Sequence, residues 1–151
     1  MKYFSQLLII LCFSTGSIQG QSAVDSVKNT IGKMFFSMKS SDAKSLRECF
    51  SDSAILQTIA KDKNGNTVIK NEQVADFIQV ISTIPPNAAD ERITFDVVKV
   101  DANLAIAWTP YKFYLNGQFS HCGVNSFQLV RINNSWKIQY LIDTRRKQGC
   151  E

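Results

Sequence analysis

The C-terminal part of the sequence reads as a series of extended segments joined by tight turns. Four segments are rich in Val, Ile, Phe, Tyr and Trp, which is typical of β-strands. They span 92–100, 104–115, 118–132 and 135–144, and the connections between them are Asp101-Ala102-Asn103, Asn116-Gly117 and Asn133-Asn134. Because connections this short join antiparallel neighbours, the pattern predicts an antiparallel meander.

The preceding part of the chain has helical periodicity. One stripe of apolar residues predicts an amphipathic helix over 22–39: Val24, Val27, Ile31, Met34, Phe35 and Met38. We expect Asp42 to cap a second helix that ends near Phe50, and Asn71 to cap a third that ends before Pro85. Asn64-Gly65 lies between two extended runs and predicts a hairpin. The fold class is therefore α+β, with three helices packed on one face of a curved, mainly antiparallel sheet.

The first twenty residues have the pattern of a cleaved secretory signal peptide. Lys2 supplies the positive charge, and Leu7 to Phe13 form an apolar run too short to span a bilayer as a mature helix. Cleavage after Gly20 is the first expectation and cleavage after Gly16 the second. We expect a periplasmic or secreted single domain over 21–151, with no membrane insertion after signal cleavage.

Charge and cysteine content exclude several classes of function. The formal net charge is +4, and removal of 1–20 takes away one lysine and no acid, which leaves +3 with the signs interspersed. This surface does not predict nucleic-acid binding. Scattered cysteines and one histidine give no zinc spacing, so neither a metal nor a cofactor is predicted. A Cys122–Cys150 disulfide is the candidate if the tail folds back over the sheet, with Cys49 in a helix core position.

The turns at Asn116-Gly117 and Asn133-Asn134 also predict the strand register. If both are two-residue turns without bulges, one face of the meander carries Leu104, Ile106, Trp108, Phe127, Leu129 and Ile138 at a dry end. The other end of that face then carries Lys112, Tyr114, His121, Asn125, Tyr140 and Thr144, with Gly123 leaving space between them. An apolar face with a polar end and a vacancy predicts a ligand pocket, with Arg146 at its mouth.

The same register predicts an outer face that is too apolar for full exposure to solvent. It would carry Ala105, Ala107, Thr109, Tyr111, Phe113, Cys122, Val124, Ser126, Gln128, Val130 and Leu141. We expect this face to form a homodimer interface. In this register Asp143 and Arg145 also point outward and form a surface ion pair.

Several C-terminal motifs support a resemblance at the level of the fold. They are Ala107-Trp108-x-Pro110-Tyr111, the run Phe119 to Asn125, Phe127-Gln128-Leu129, Trp136-Lys137-Ile138 and Asp143 to Lys147. With the order of elements, the chain resembles the nuclear transport factor 2-like superfamily, the cone-shaped fold of ketosteroid isomerase and the SnoaL-type cyclases. The motifs are most similar to an exported bacterial group labelled lumazine-binding. The resemblance implies the fold over 22–145, a dimer and bacterial export.

His121 and Asp96 are the candidate catalytic residues. His121 is the sole histidine and has a pKa suited to proton transfer. Enzymes of the resembling superfamily use a pocket carboxylate, which Asp96 would supply if Asp101-Ala102-Asn103 is a three-residue loop. A two-residue loop, Ala102-Asn103, would instead leave Asp96 in solvent and turn Ile93, Phe95 and Val97 inward. The sequence leaves both registers open.

Three functions fit these patterns. The first is an exported module that binds a small, planar or partly aromatic molecule in the pocket. The second is a cofactor-free isomerase, dehydratase or cyclase in which His121 moves a proton. The third is a structural or interaction protein whose pocket is filled by its own side chains. We favour the first, because no convincing pair of acids can be assigned in the sequence.

Overall fold

The computed structural model describes residues 16–150. The predicted signal peptide lies mostly outside this range, so it stays a prediction. The elements are α1 (Gly16–Ser40), α2 (Ala43–Glu48), β1 (Phe50–Lys61), β2 (Thr67–Glu72), α3 (Val74–Thr83), β3 (Ala89–Ile93), β4 (Val97–Asp101), β5 (Leu104–Leu115), β6 (Gln118–Ile132) and β7 (Ser135–Thr144). Within the described range, no helix is both long and apolar enough to cross a membrane.

The strands form one curved sheet in the order β2-β1-β7-β6-β5-β3, with β4 also paired to β5. The β1–β7 pair is parallel and the other pairs are antiparallel. Both asparagine turns have positive φ at their two central residues, 52° and 78° at Asn116-Gly117 and 48° and 62° at Asn133-Asn134. The predicted α+β class, with helices before a mainly antiparallel sheet, is confirmed.

The three predicted helices are present, and two other details of the prediction, one helix cap and one strand, are corrected. Asp42 caps α2 as predicted, because its carboxylate accepts a hydrogen bond from the Ser45 amide at 3.0 Å. The cap of α3 is Gln73, whereas Asn71 lies in β2 and accepts a hydrogen bond from the Gln57 side chain at 2.7 Å. The single strand predicted over 92–100 is two strands, β3 and β4, and the intervening segment bonds to β5 through the amides of Thr94 and Asp96.

Two register shifts correct the predicted faces of the sheet. In the β5–β6 hairpin, Leu115 and Tyr114 face Gln118 and Phe119, but Phe113 then faces His121, so β6 has one extra residue at Ser120. In the β6–β7 hairpin, Leu129 faces Ile138 and Gln128 faces Tyr140, with an extra residue at Gln139. Since side chains alternate between the faces, each extra residue exchanges the faces beyond it.

The core lies between α1 and the inner face of the sheet. Val27 and Ile31 of α1 are fully buried, as are Phe127, Leu129 and Ile138 of the sheet. Over β5 the inner positions are Ala105 and Ala107, which are 1% and 3% exposed, and their small side chains leave room for the helix and for Val98 and Val100 of β4. Leu104, Ile106 and Trp108, predicted to be inside, lie on the outer face and are 42% to 50% exposed.

Candidate functional site

A cavity of about 70 Å³ lies between the helices and the inner face, at the end away from the dry core. Its apolar wall comes mainly from α1 and α3. The apolar residues are Met34, Phe35, Met38, Leu56, Phe77 and Leu141, and the polar ones are Gln57, Thr58, Glu72, Glu91, Asn125, Asp143 and Arg145. The third hypothesis required a pocket filled by the protein's own side chains, whereas the structure contains a cavity. We call this cavity the inner pocket.

Glu91 and Asn125 form one side of the inner pocket. Both point inward, because Glu91 in β3 is opposite Phe113 and Asn125 in β6 is opposite Thr109. The Asn125 side-chain amide donates a hydrogen bond to Glu91 Oε1 at 2.8 Å. Loss of hydration raises the pKa of Glu91 to about 7, against the effect of that hydrogen bond. The carboxyl group therefore changes charge near neutral pH.

Asp143 and Arg145 form the neighbouring side, and Tyr111, which lines an outer groove instead of this pocket, bonds to Asp143 from behind. Asp143 is buried and its Oδ2 accepts hydrogen bonds from Arg145 Nε at 2.8 Å and from the Tyr111 hydroxyl at 3.2 Å. The Arg145 guanidinium also donates to Thr58 Oγ1 at 3.1 Å. Burial and then the nearby Asp143 and Glu91 carboxylates raise the pKa of Tyr111. This side therefore holds an ion pair, with a phenol behind it that stays protonated.

A close approach between β6 and the end of β7 brings these groups together. A Cβ on Gly123 would collide with the Thr144 carbonyl oxygen and would lie 2.7 Å from the Tyr111 ring. The Tyr111 hydroxyl donates to that same carbonyl at 2.9 Å. Only glycine allows this contact, and the chain then continues directly into Arg145 beside Asp143.

Solved structures identify the architecture. A protein of unknown function from Shewanella baltica, described as NTF2-like, is 12% identical and superimposes with a TM-score of 0.65 over 85% of this chain and 97% of that one. An NTF2-like protein with a cystatin-like fold from Novosphingobium aromaticivorans is 12% identical, with a TM-score of 0.69 over 89% and 88%. A domain of unknown function with a cystatin-like fold from Nostoc punctiforme is 18% identical, with a TM-score of 0.63 over 88% and 81%.

The chain has the nuclear transport factor 2-like fold. No family model matches the sequence, and no curated protein matches it. At these identities the likeness concerns the fold alone. The narrower resemblance to the lumazine-binding group stays a prediction.

Within this nuclear transport factor 2-like fold, most of the residues predicted to form the pocket lie elsewhere, because of the two register shifts. Only Asn125 lines the inner pocket. Trp108 is 45% exposed on the outer face. Lys112 and Arg146 line the outer groove. The Arg92 guanidinium lies over the Tyr114 ring on that outer side, 4.2 Å from the ring centroid.

Two further predicted pocket residues hold strands together. The Tyr140 hydroxyl donates to the Gln57 side-chain oxygen at 2.6 Å, linking β7 to β1. The Thr144 hydroxyl accepts a hydrogen bond from the Val124 amide at 3.2 Å. Neither residue lines the inner pocket, so their predicted role in ligand contact has no support from their positions.

The two candidate catalytic residues also lie outside the inner pocket. His121 packs on the rings of Tyr111 and Phe113, with centroids 5.7 Å and 5.0 Å away. Burial, and then the charge of Arg145, lower the pKa of His121, so the ring is neutral at pH 7.

The loop after β4 is the two-residue form, because Asp101 pairs with Leu104. Of the residues that this form was expected to turn inward, Ile93 and Phe95 pack against the core, but Val97, opposite Trp108, is exposed. Asp96 is exposed. The inward orientation of Asp96 is therefore wrong.

The residues predicted on the outer face divide between the two faces: those of β5 lie on the inner face, whereas those of β6 lie outside as predicted, namely Val124, Ser126, Gln128 and Val130. Ala105, Ala107, Thr109 and Tyr111 are buried under the helices, and Asp143 is buried in the inner pocket instead of forming a surface pair. The pairing of Asp143 with Arg145 was correct, but its location was wrong. Outside, the sheet presents Val97, Ile106 and Trp108.

The predicted disulfide is confirmed. Cys122 and Cys150 are bonded, with their Cα atoms 5.7 Å apart, and Cys49 is a buried free thiol. The bond ties the C-terminal tail to β6, where Cys122 and Arg146 also exchange two backbone hydrogen bonds of 2.9 Å and 2.8 Å.

The sequence reasoning missed Glu91, Tyr111 and Asp143. One signal was present: β5 alternates small or polar residues with large apolar ones, and either set could be the buried one. Choosing the larger set placed Trp108 inside, whereas a helix lying close to the sheet favours Ala105 and Ala107. Nothing local to Ser120 or Gln139 predicts an extra residue, so the register beyond each one was wrong.

Proposed function

We propose that the chain is an exported module that binds a small molecule in the inner pocket, with Glu91 as the main recognition group. The observation that carries this proposal is a carboxyl group on the polar side of the inner pocket, across from an apolar wall. Asn125 occupies one oxygen of Glu91, and the other has no protein hydrogen bond among the described residues. A polar atom held at such a place is available to a ligand.

The size of the inner pocket limits what enters it. A cavity needs roughly 10 to 15 Å³ to hold one water molecule, so about 70 Å³ admits a small compound or one end of a larger one. The Phe35 and Phe77 rings and the flexible Met34 and Met38 side chains line it. These walls suit a flat ring, and Glu91 suits a ligand that presents a hydrogen-bond donor.

A ligand screen by thermal shift tests this proposal. Planar heterocycles that carry N–H groups are added to the purified protein, to the Glu91→Gln variant and to Asp96→Asn, which removes an exposed carboxylate from the same sheet. We expect at least one compound to raise the Tm of the wild type and of Asp96→Asn, and to lose that effect in Glu91→Gln. Equal shifts in all three proteins would contradict the role of Glu91, and no shift with any compound would contradict binding.

A second candidate function is cofactor-free acid–base catalysis, with Glu91 in the role first considered for His121. The favouring observation is a carboxyl group whose pKa is about 7, beside the Tyr111 hydroxyl and the Asp143–Arg145 pair. A group with such a pKa can both accept and return a proton near neutral pH. The Tyr111 hydroxyl is already donated to protein acceptors, so the carbonyl of a substrate would have to displace one of them.

Exchange of deuterium into small ketones, followed by NMR, tests the catalytic candidate. We expect exchange next to the carbonyl that rises with pH through about 7 and is lost in Glu91→Gln but kept in Asp96→Asn. Exchange that persists in Glu91→Gln, or none in the wild type, would leave binding as the function.

We also propose a homodimer, formed through the outer face that the structure defines rather than the face first predicted. Val97 and Trp108 are cross-strand neighbours there, and Ile106 lies on the same face one pair along. They are 38%, 45% and 42% exposed, which is unusual for side chains of this size on a sheet face. Light scattering after gel filtration should show a dimer that Trp108→Lys converts to a monomer, whereas Ile69→Lys on the β2 edge leaves it intact. A monomeric wild type would contradict this proposal.

Export is proposed from residues 1–20 alone. Expression with and without this segment, followed by fractionation of a bacterial host, should place only the full chain outside the cytoplasm. Mass spectrometry of the exported form should show loss of about twenty residues. An uncleaved cytoplasmic chain would contradict it.

A further inference from the structure

A lateral row on the outer side of the sheet carries three basic residues and the disulfide. Arg92 of β3 is opposite Lys112 of β5, and Lys112 is opposite Cys122 of β6. Cys122 in turn forms an antiparallel bridge with Arg146 of the tail. Side chains opposite each other on neighbouring strands have Cβ atoms about 5 Å apart, so these residues form one continuous strip.

The strip borders a groove of about 300 Å³, separate from the inner pocket. Its base is formed by Pro110, Gly123 and the disulfide, and its polar rim by Arg92, Lys112, Arg146 and Thr94. Among the described residues that line it, none is acidic. We call it the basic groove.

The nearby acid compensates only part of this positive charge. Asp90 of β3 forms ion pairs with Arg92 Nε and with Lys39 of α1, each at 3.0 Å. Lys112 and Arg146 have no ion-pair partner in the described part of the chain, and Lys147 adds a further charge. Like charges directly opposite on a sheet are destabilising, so the Arg92–Lys112 pair favours a bound anion.

The disulfide fixes the position of one of the three cations. The Cys122–Cys150 bond and the two backbone hydrogen bonds between Cys122 and Arg146 hold the tail against β6. Arg146 Nε donates to the Gly149 carbonyl at 3.2 Å, and the terminal guanidinium nitrogens have no hydrogen bond to residues 16–150. Binding to a flexible tail costs conformational entropy, because the tail becomes ordered. A tail held by a disulfide is already ordered, so this cost is smaller.

We propose that the basic groove is a binding site for a doubly charged tetrahedral oxyanion, a phosphate or sulfate group presented as a free ion or as a monoester. Two guanidinium groups supply paired N–H donors to its oxygens, and Lys112 supplies a point charge between them. This site is independent of the proposed function of the inner pocket, and Glu91 has no part in it.

Calorimetric titration of the purified protein with inorganic phosphate, inorganic sulfate and phenyl phosphate, at low and at physiological salt, tests the site. We expect Lys112→Gln and Arg146→Gln each to weaken binding about tenfold, since each removes one charge-assisted contact. Lys99→Gln removes an exposed lysine from β4 on the same outer side and should change the affinity less than twofold. Cys150→Ser keeps every charge but frees the tail, and should weaken binding about as much as Arg146→Gln, with circular dichroism confirming that the variant is folded.

Two results would overturn the proposal. One is the absence of saturable binding to all three anions. The other is an equal loss in Lys99→Gln and Lys112→Gln, which would indicate general attraction to a positive protein. Vesicles of phosphatidylcholine with and without phosphatidic acid separate the two sources of the group. Sedimentation only with phosphatidic acid assigns a lipid headgroup, and binding of soluble phosphate alone assigns a free or small esterified anion.

Discussion

The same two strands build both a dry core and a polar pocket on the inner face of the sheet. At one end, Leu129 of β6 meets Ile138 of β7, and both are fully buried. Four residues away in β6 and five residues away in β7, Asn125 is paired with Asp143, and both are again almost fully buried. The difference teaches that burial alone does not separate core from site. The polar end keeps carboxyl groups out of water at a cost in stability, which the dry end offsets.

The largest expected effect lies at the dry end. Phe127 is fully buried and packs edge-on against Phe35, with ring centroids 6.2 Å apart. Phe127→Ala should lower the free energy of unfolding by about 3 to 5 kcal/mol, because it leaves a cavity that the surrounding residues fill only in part. Urea denaturation measures this. Ile69→Ala, in a 59% exposed position on the outer side of β2, is the matched truncation and should cost about 1 kcal/mol or less. Similar losses in both variants would contradict the assignment of the two faces.

The α1, β6 and β7 parts of the dry end were predictable, whereas its β5 part and the polar end were not. Helix periodicity correctly placed Val27 and Ile31 in the core, and the asparagine turns correctly paired Leu115 with Gln118 and Ile132 with Ser135. Register near a turn follows from the φ values that the turn requires, which are a local property of the sequence.

The extra residues at Ser120 and Gln139 have no such local cause. The shift at Ser120 lies three residues before Gly123, where the end of β7 approaches β6. That approach exists only in the assembled sheet and has no counterpart in the local sequence. Because a single extra residue exchanges the two faces, Trp108 moved out and Asp143 moved in. Asn125 was placed correctly, since its inward orientation is set in relation to Phe127 and Leu129 in its own strand. Residues such as Glu91, whose orientation depends on a neighbouring strand, were out of reach.

The next effect concerns the polar end and depends on pH. The pKa of Glu91 is about 7 in the folded protein and about 4.5 in the unfolded chain. Between these values the folded protein holds a proton that the unfolded chain has lost, so stability falls as pH rises through this range. Relative to Glu91→Gln, the wild type should lose about 3 kcal/mol between pH 4.5 and pH 8.

Urea denaturation of both proteins at pH 4.5, 6 and 8 measures this difference. Asp96→Asn is the control, since Asp96 is exposed and its replacement should give curves parallel to the wild type. A wild type that gains stability relative to Glu91→Gln as pH rises would mean that Glu91 is ionised in the folded protein, with a compensating cation beside it.

A smaller effect compares two tyrosines on opposite faces. The Tyr111 hydroxyl donates toward Asp143 and the Thr144 carbonyl in a buried place, whereas the Tyr140 hydroxyl donates to the Gln57 side chain in a partly exposed one. Tyr111→Phe removes a buried donor from the Thr144 carbonyl and from Asp143, which keeps only Arg145, and should cost about 1 to 2 kcal/mol. Tyr140→Phe should cost about 0.5 kcal/mol, because water replaces the lost bond. Chemical denaturation of both variants measures the two changes in the free energy of unfolding. A larger decrease for Tyr140→Phe than for Tyr111→Phe would contradict the burial difference between the faces.

The smallest expected effect lies away from both ends, at the ion pair between Lys33 of α1 and Glu48 of α2. Its nitrogen and oxygen are 2.7 Å apart, nearly the same as the 2.8 Å between Arg145 and Asp143. The side chains of Lys33 and Glu48 are 47% and 48% exposed, however, whereas that of Asp143 is 11% exposed. Water and salt screen the exposed pair, so a double-mutant cycle with Lys33→Gln and Glu48→Gln should give a coupling close to zero that decreases further in 0.5 M NaCl. The same cycle with Asp143→Asn and Arg145→Gln should give a larger coupling that salt changes less. Equal couplings would show that distance, rather than burial, determines the strength of ion pairs in this protein. The contrast between the pocket and the surface would then fail.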